Sequence, residues 1–348
     1  MIDLKKYICN VPFTSLEIHN NVCFVCCPSW LPNKIELQDI PLNDIYNSEP
    51  IVDIRNSILD GSFKYCDKEL CPHLSKLINY GVTSGPIDLK VNSSYNSPIV
   101  KNNTPDNIIM NFDRTCNYKC PSCRVDLIVE SSKGIERVEK TIEEIDTYYS
   151  KNVKTLYITG SGDPFVSVGF KNYLRNFKPE KYPLLKTIHL HTNASMWNEE
   201  MWNSMKNIHK YVRTCEISID AGTKETYETK TRLGGDWDNL INNLKFINTI
   251  PTLGAIKTSF VVQDSNYMEM DMFYRLMYSI FDKKVRVYFG KITNWGTFSE
   301  GEFKIKQVWD ENHPEHGLFK KEFDKVCRNE YLTHNLYEFI DNSRKTLI

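Results

Sequence analysis

Three cysteines within eight residues are the part of this sequence best suited to chemistry: Cys116, Cys120 and Cys123, spaced Cys-x3-Cys-x2-Cys in the run DRTCNYKCPSC. Thiolates so placed can wrap one corner of a cuboidal iron–sulfur cluster, which ordinarily takes four cysteines. Three ligands leave one iron open, and an open coordination position is what catalysis at a metal requires. A structural zinc site needs a fourth Cys or His nearby, and the loop supplies none. The chain holds eleven cysteines, and nine precede residue 124: Cys9, Cys23, Cys26, Cys27, Cys66, Cys71 and the three of the loop. Only Cys215 and Cys327 follow. The opening run MIDLKKYICNVPF has no apolar signal-peptide core, so the expected compartment is the cytoplasm. In that reducing setting clustered thiols point to metal or redox chemistry rather than disulfides.

Those thiols must be held by regular structure, and the sequence supplies it from residue 107 onward. Strand-like runs fall at 108–112, 155–159, 187–191, 215–219, 256–262 and 285–289. Helix-like segments lie between them at 135–150, 170–177, 199–209, 236–247 and 267–281, with others near 51–59 and 318–330. Such alternation argues for a parallel sheet with crossover helices. Six units are fewer than the eight of a closed barrel. The expected fold class is α/β, an open partial (β/α)6 TIM-type barrel, with a doubly wound sheet as the alternative. Around that barrel, residues 1–80 read as a small Cys-rich domain and 81–106, rich in Gly, Ser, Asn and Pro, as a linker. Residues 107–299 form the barrel, and 300–348 read as a short helical extension. In that extension His313 and His316 read as loop residues.

The strands also alternate in polarity. His189 and His191, then Glu216, Ser218 and Asp220, then Lys257 and Ser259, then Arg286 and Tyr288 each share one face of their strand. A polar face turned inward lines a wet cavity for a polar ligand; turned outward, it is simply solvated. Cys215 falls on the opposite, apolar face and reads as core.

On the cysteine loop and its βα setting, the sequence resembles the radical S-adenosylmethionine superfamily over residues 107–295. The resemblance implies one [4Fe-4S] cluster whose open iron chelates S-adenosyl-L-methionine. One electron then cleaves the sulfonium, and a 5′-deoxyadenosyl radical takes a hydrogen from substrate. It also implies a set of cofactor-binding candidates. Tyr118 lies within the cysteine loop. Gly160, Ser161, Gly162 and Asp163, with Pro164, are similar to the Gly-Gly-Glu-Pro segment that binds the methionine amino group, departing from it at Ser161 and Asp163. Asn193, in His191-Thr192-Asn193-Ala194, matches a Thr-Asn-Gly segment with Ala in place of Gly. Ser218 and Asp220 match ribose contacts, and Arg232 matches a bidentate partner for the methionine carboxylate. Asn294-Trp295-Gly296 falls where substrate or adenine would lie.

A second resemblance covers the N-terminal region. Cys9, Cys26, Cys66 and Cys71, with Leu16-Glu17-Ile18, Asn33, Arg55 and Gly61-Ser62-Phe63, look like the SPASM or twitch auxiliary-cluster domain, here preceding the barrel instead of following it. This implies a second, auxiliary [4Fe-4S] cluster on those four thiols. Cys27 is the substitute for Cys26, and Cys23 lies outside the set. A tetrahedral zinc site fits the same spacing. Cys327 is a candidate hydrogen-atom donor to a substrate radical, by analogy with related epimerases.

The function implied is an oxidoreductase acting on a polar substrate: a peptide matured, crosslinked or epimerised, or else a sugar or aminocyclitol dehydrogenated or epimerised. Its electron donor would be of the flavodoxin or ferredoxin kind. The alternative of another class is a non-catalytic, zinc-stabilised binding protein. The net charge is −1 and no long Lys or Arg run occurs, which argues against a nucleic-acid partner. No apolar run reaches the ~18 residues of a membrane span. Apolar content of 41% and charged content of 25% are ordinary for a globular protein.

Overall fold

The six expected strand–helix units are present in the computed structural model, which describes residues 2–329, 332–334 and 336. Packing divides the chain into two units. The first is Met1–Asp113, Ser131–Ser161 and Asn176–Ile188; the second is Arg114–Glu130, Gly162–Arg175 and His189–Ile348.

The first unit contains strands β1 (Tyr7–Cys9), β2 (Ser15–Ile18), β3 (Val22–Phe24), β4 (Ile35–Glu36), β5 (Ile87–Leu89), β6 (Asn107–Met110) and β7 (Thr155–Ile158). β6 pairs in parallel with β7 on one side and with β2 on the other, and β3 and β4 continue antiparallel from β2. Leu16 lies opposite Ile108 and Ile18 opposite Met110, so part of the Cys-rich segment shares a sheet with the first barrel strand. Helices α1 (Glu49–Leu59), α2 (Pro72–Tyr80) and α3 (Ser132–Tyr148) complete the unit. Ser131 starts α3 by accepting the Gly134 N–H. The sequence reading passed over α2, although Pro72 at its first turn and Gly81 at φ +70 beyond its end are start and stop signals.

Segment 81–106 is held by long-range contacts. β5 pairs antiparallel with β1. Arg55, fully buried on α1, donates to Pro98 O at 3.0 Å, Asn47 Oδ1 at 2.9 Å and Pro12 O at 2.7 Å, with Tyr46 under its guanidinium. Asn47 in turn bonds both the N–H and the carbonyl of Val100. Composition reports only local preference, so it could not reveal an anchor 43 residues away. Ile8, Phe13, Ile58, Phe63, Leu74, Leu77 and Ile87 form the core here, and Cys9, Cys66 and Cys71 pack at its margin. Gly61, at φ +80, lets the chain pass Lys5 closely; a Cβ there would lie 2.6 Å from Lys5 Cα.

β8 (Thr187–Thr192) begins in the first unit and ends in the second. In the second unit β9 (Val212–Ser218), β10 (Ala255–Val262) and β11 (Val285–Lys291) run parallel. They alternate with α4 (Val168–Arg175), α5 (Glu199–Asn203), α6 (Trp237–Thr249) and α7 (Met270–Phe281). This is the parallel α/β pattern of a partial barrel. Phe273 of α7 packs 5.0 Å from Phe260, which meets Phe289 edge-on at 5.3 Å. Cys215 is buried on this apolar face, as expected. The segment beyond residue 299 holds α8 (Glu300–Lys306) and α9 (His316–Val326), and also a further parallel strand, β12 (Leu332–His334), on β11. It is therefore not purely helical.

Two helix expectations change. The helix expected over 199–209 stops at Asn203, because the Trp202 carbonyl is taken by the Met205 N–H and lies 2.8 Å from His209 Nε2. The helix expected to reach residue 330 starts earlier, at His316, and closes at Val326; Glu330 lies outside the described residues. Among the described residues no helix is long and apolar enough to cross a membrane.

Candidate metal centre

Residues 114–130 fold back on themselves. The Cys116 N–H donates to Ile128 O, and the Cys120 carbonyl accepts the N–H groups of both Cys123 and Arg124. Lys119 N–H to Leu233 O, at 2.9 Å, ties the loop to the segment after β9. The turn leaves Cys116 7% and Cys120 4% exposed. Each sulfur then meets a donor. Asn193 Nδ2 reaches Cys116 Sγ at 3.6 Å, beside the Tyr118 N–H at 3.5 Å. Arg232 Nη1 reaches Cys120 Sγ at 3.5 Å, and Arg124 Nη2 reaches Cys123 Sγ at 3.4 Å.

Burial raises the pKa of Cys116, with Asp163 adding to the effect, and burial likewise raises that of Cys120. These thiols therefore hold protons that metal uptake must displace. Among the described residues no three Cys, His, Asp or Glu side chains stand in metal-binding geometry. The donor set fits an iron–sulfur cluster: three soft sulfur ligands, each met by an N–H donor that orients it.

The segments after β8 and β9 supply two of those donors, Asn193 and Arg232. Asp163 is buried, and its carboxylate accepts from Thr192 Oγ1, the Asn193 N–H and the Phe165 N–H at 2.7, 2.8 and 3.0 Å. Burial nevertheless raises its pKa. This carboxylate fixes the turn that carries Asn193. Ala194 there has φ +61, a left-handed conformation that explains a glycine at this position in the pattern it resembles. Asn243 of α6 steadies it by donating to the carbonyls of Ala194 and Ser195.

Arg232 was expected to face the methionine carboxylate and Asp220 the ribose. Here they engage each other at 2.6 Å, and Asp220 also accepts the Val261 N–H at 2.7 Å. Asp220 lies just past the end of β9 at φ +60, so the period-two argument that aligned it with Ser218 no longer holds there. Tyr118 is buried with its hydroxyl 3.0 Å from that of Tyr227. Of the glycine-rich turn, Gly160 and Ser161 lie in the first unit, and Gly162 and Asp163 in the second. Ser161 Oγ donates to Asn111 O.

The polar strand faces pair across β8–β11. His189 Nδ1 lies 2.8 Å from Thr214 Oγ1, and His191 Nε2 lies 2.9 Å from Ser218 Oγ, which contacts Ser259. Lys257 bonds Glu216 at 3.0 Å and sits over the Tyr288 ring. Burial pushes His189 down to about 4 and lowers His191 in the same direction. Burial would raise Glu216, but His191 and Lys257 outweigh it and bring its pKa below the usual value.

Within the first unit, the Cys26 thiol is raised by burial and then by the neighbouring thiols of Cys9, Cys27, Cys71 and Cys66. Burial pushes Cys9 and Cys66 up to about 12. Cys27 is likewise raised by burial, with Ser29 hydrogen bonds lowering it and Glu17 and Cys71 raising it, and Cys23 is buried in the sheet. Cys71 stands at the N-terminus of α2, near the Leu74 and His73 N–H groups.

Cys327 closes α9, where its Sγ donates to Asp324 O at 3.8 Å. Trp295 is 63% exposed on a loop that Asn294 closes by accepting three N–H groups. Sequence reasoning missed Arg124, although a cation directly after the third cysteine is a readable signal.

Residues 110–263 match the family model of the radical SAM superfamily. Among solved structures, Streptococcus suis SuiB bound to precursor peptide SuiA is similar at 16% identity and a TM-score of 0.46, over 79% of this chain and 56% of that one. Native anSMEcpe with bound AdoMet is similar at 17% identity and a TM-score of 0.44, over 67% of this chain and 59% of that one. This chain thus spans less than two thirds of either protein. No curated protein matches the sequence.

Proposed function

We propose that this chain, whose residues 110–263 match the family model of the radical SAM superfamily, is an enzyme that binds S-adenosyl-L-methionine at a [4Fe-4S] cluster on Cys116, Cys120 and Cys123 and takes a hydrogen atom from a peptide. The observation that carries this reading is the cysteine loop, where three thiols on one turn each meet a separate N–H donor. When bound, the cluster and S-adenosylmethionine supply one-electron cleavage of the sulfonium and a 5′-deoxyadenosyl radical.

The chain's own residues bind and orient. Asn193, held by Asp163, and Arg232, held by Asp220, keep Cys116 and Cys120 in place. Glu216 and Lys257 offer a paired anion and cation to the backbone or charged groups of a polar substrate. His189 and His191, kept neutral at pH 7 by their lowered pKa values, add hydrogen-bonding capacity without charge. A peptide is the substrate we assign because the N-terminal cysteine spacing resembles the SPASM and twitch domains, most of whose bearers act on peptides. We assign the auxiliary [4Fe-4S] cluster to Cys9, Cys26, Cys66 and Cys71 on the resemblance of their spacing, supported by Cys26 lying within electrostatic range of the other three thiols while Cys27 is in range of Cys71 and of Cys26.

Anaerobic reconstitution of the full chain tests the proposal. The protein should turn brown, bind about eight iron atoms, four per cluster, and release 5′-deoxyadenosine with dithionite. A folded protein that stays colourless and iron-free overturns it. Bound zinc with intact S-adenosylmethionine would instead mark a binding module.

A further inference from the structure

We propose that Arg124 is a positioning residue that makes the cluster on Cys116, Cys120 and Cys123 easier to reduce, by holding a fixed cation against its sulfur ligands; this rests on the cluster assignment above. The side chain is 6% exposed and anchored at both ends of its fork. Nη2 donates to Cys123 Sγ at 3.4 Å, and Nη1 donates to Arg114 O at 2.9 Å, ten residues earlier at the start of the loop. A planar guanidinium held at two points loses little freedom on loading, unlike a lysine on its flexible stem. All three sulfurs lie within electrostatic range of this cation.

The second arginine at the loop differs in kind. Arg232 reaches Cys120 Sγ, but its Nη2 is 2.6 Å from the Asp220 carboxylate, so its charge is largely cancelled where it stands. Arg124 reaches its sulfur from within the loop, and after burial the leading electrostatic influences on it are the sulfurs of Cys123, Cys116 and Cys120. Reduction transfers one electron from an external donor of the flavodoxin or ferredoxin class, dithionite in the assay, to the cluster, and no covalent bond forms or breaks in that step. The cluster gains one negative charge. A cation and an N–H donor at sulfur favour the more negative form, which raises the reduction potential. Burial limits the solvent screening that would weaken the effect.

The test is a dye-mediated redox titration of the reconstituted full chain, read by electron paramagnetic resonance. It follows the signal that changes when S-adenosylmethionine is added, which separates this cluster from an auxiliary one. Arg124→Gln keeps a donor and removes the charge. It should retain full iron but hold about tenfold less reduced cluster at a fixed poise, a shift of about 59 mV to more negative potential for one electron. Arg124→Lys should stay near the wild-type value. An unchanged midpoint in Arg124→Gln overturns the proposal, as does a lysine variant shifted as far as the glutamine one. If Arg124→Gln fails to hold iron, Arg124→Lys decides: iron retained at the wild-type potential supports the charge role, and iron lost from both overturns it in favour of a purely structural one. A wild-type protein without iron is a different failure, that of the cluster assignment itself.

Discussion

In the second unit Cys120 and Cys123 each meet an arginine and Cys116 an asparagine, whereas in the first unit Cys9, Cys26, Cys66 and Cys71 face one another and backbone N–H groups. Cys116 and Cys120 are buried, whereas Cys123 and the four N-terminal thiols are half-buried, so burial separates the two sets only in part. What differs further is contact: arginines donate directly to two sulfurs of the loop, whereas Lys68 acts on Cys66 only through space. A loop with three thiols and two cations suits a centre that must accept an electron while keeping one metal position open for a ligand. Four thiols at the margin of an apolar core suit a centre whose metal is fully ligated, which holds charge or structure without binding substrate directly. The lesson is that the surroundings of a thiol, more than its spacing, indicate which task a cluster there performs.

The sharpest way to break this contrast is a pair of variants. Cys120→Ala should abolish 5′-deoxyadenosine release entirely. Cys66→Ala should lose only the auxiliary iron, spare cleavage in the absence of substrate, and impair product formation. Equal loss of cleavage in both would erase the distinction between the two centres. A finer cut within the first unit compares Cys26→Ala with Cys27→Ala. The former should lose about half of the iron, one cluster of two, and the latter should keep it; iron analysis after desalting reads the difference. The reverse result would move the ligand assignment to Cys27.

A third test addresses the charge balance of the second unit. Asp220→Ala leaves the Arg232 guanidinium buried without its carboxylate, and breaking such a pair costs roughly 3–5 kcal/mol. Denaturant unfolding should show the loss, and a change within error of zero would mean that Arg232 finds another partner. The smallest effect concerns the polar strands. His189 is pushed down to about 4 by burial, with the neighbouring His191 opposing its charge further and Glu216 acting the other way. Its folded pKa therefore lies below the unfolded value near 6.5. Folding favours the neutral ring, so its contribution is full above about pH 6.5 and is lost as the pH falls toward 4, at up to roughly 1.4 kcal/mol per pH unit. His189→Gln should flatten the decline in urea-unfolding free energy over that window, and an undiminished slope would assign it to another group, His191 first.

Local signals made much of this molecule legible. The six parallel strands lie within a few residues of their expected ends, because period-two alternation and short apolar runs are properties of neighbouring residues. Cys215 could be read as core for the same reason. The signals failed where a partner lies far along the chain. Segment 81–106 looks like a linker by composition, yet Arg55 and Asn47 hold it. Asp220 continues the alternation of its strand by count, but the backbone has already turned to φ +60, and its carboxylate goes to Arg232.

By itself the sequence determined the βα alternation, the burial pattern of its strands and the three-thiol loop, since all three depend on spacing over a few residues. Tertiary structure alone decided which side chains meet Cys116 and Cys120. Arg232 and Cys120 stand 112 residues apart, and Asn193 and Cys116 77 apart. Spacing limits which groups can ligate a metal together and sets Arg124 beside Cys123, but the donors at Cys116 and Cys120 include side chains that only the folded chain brings near.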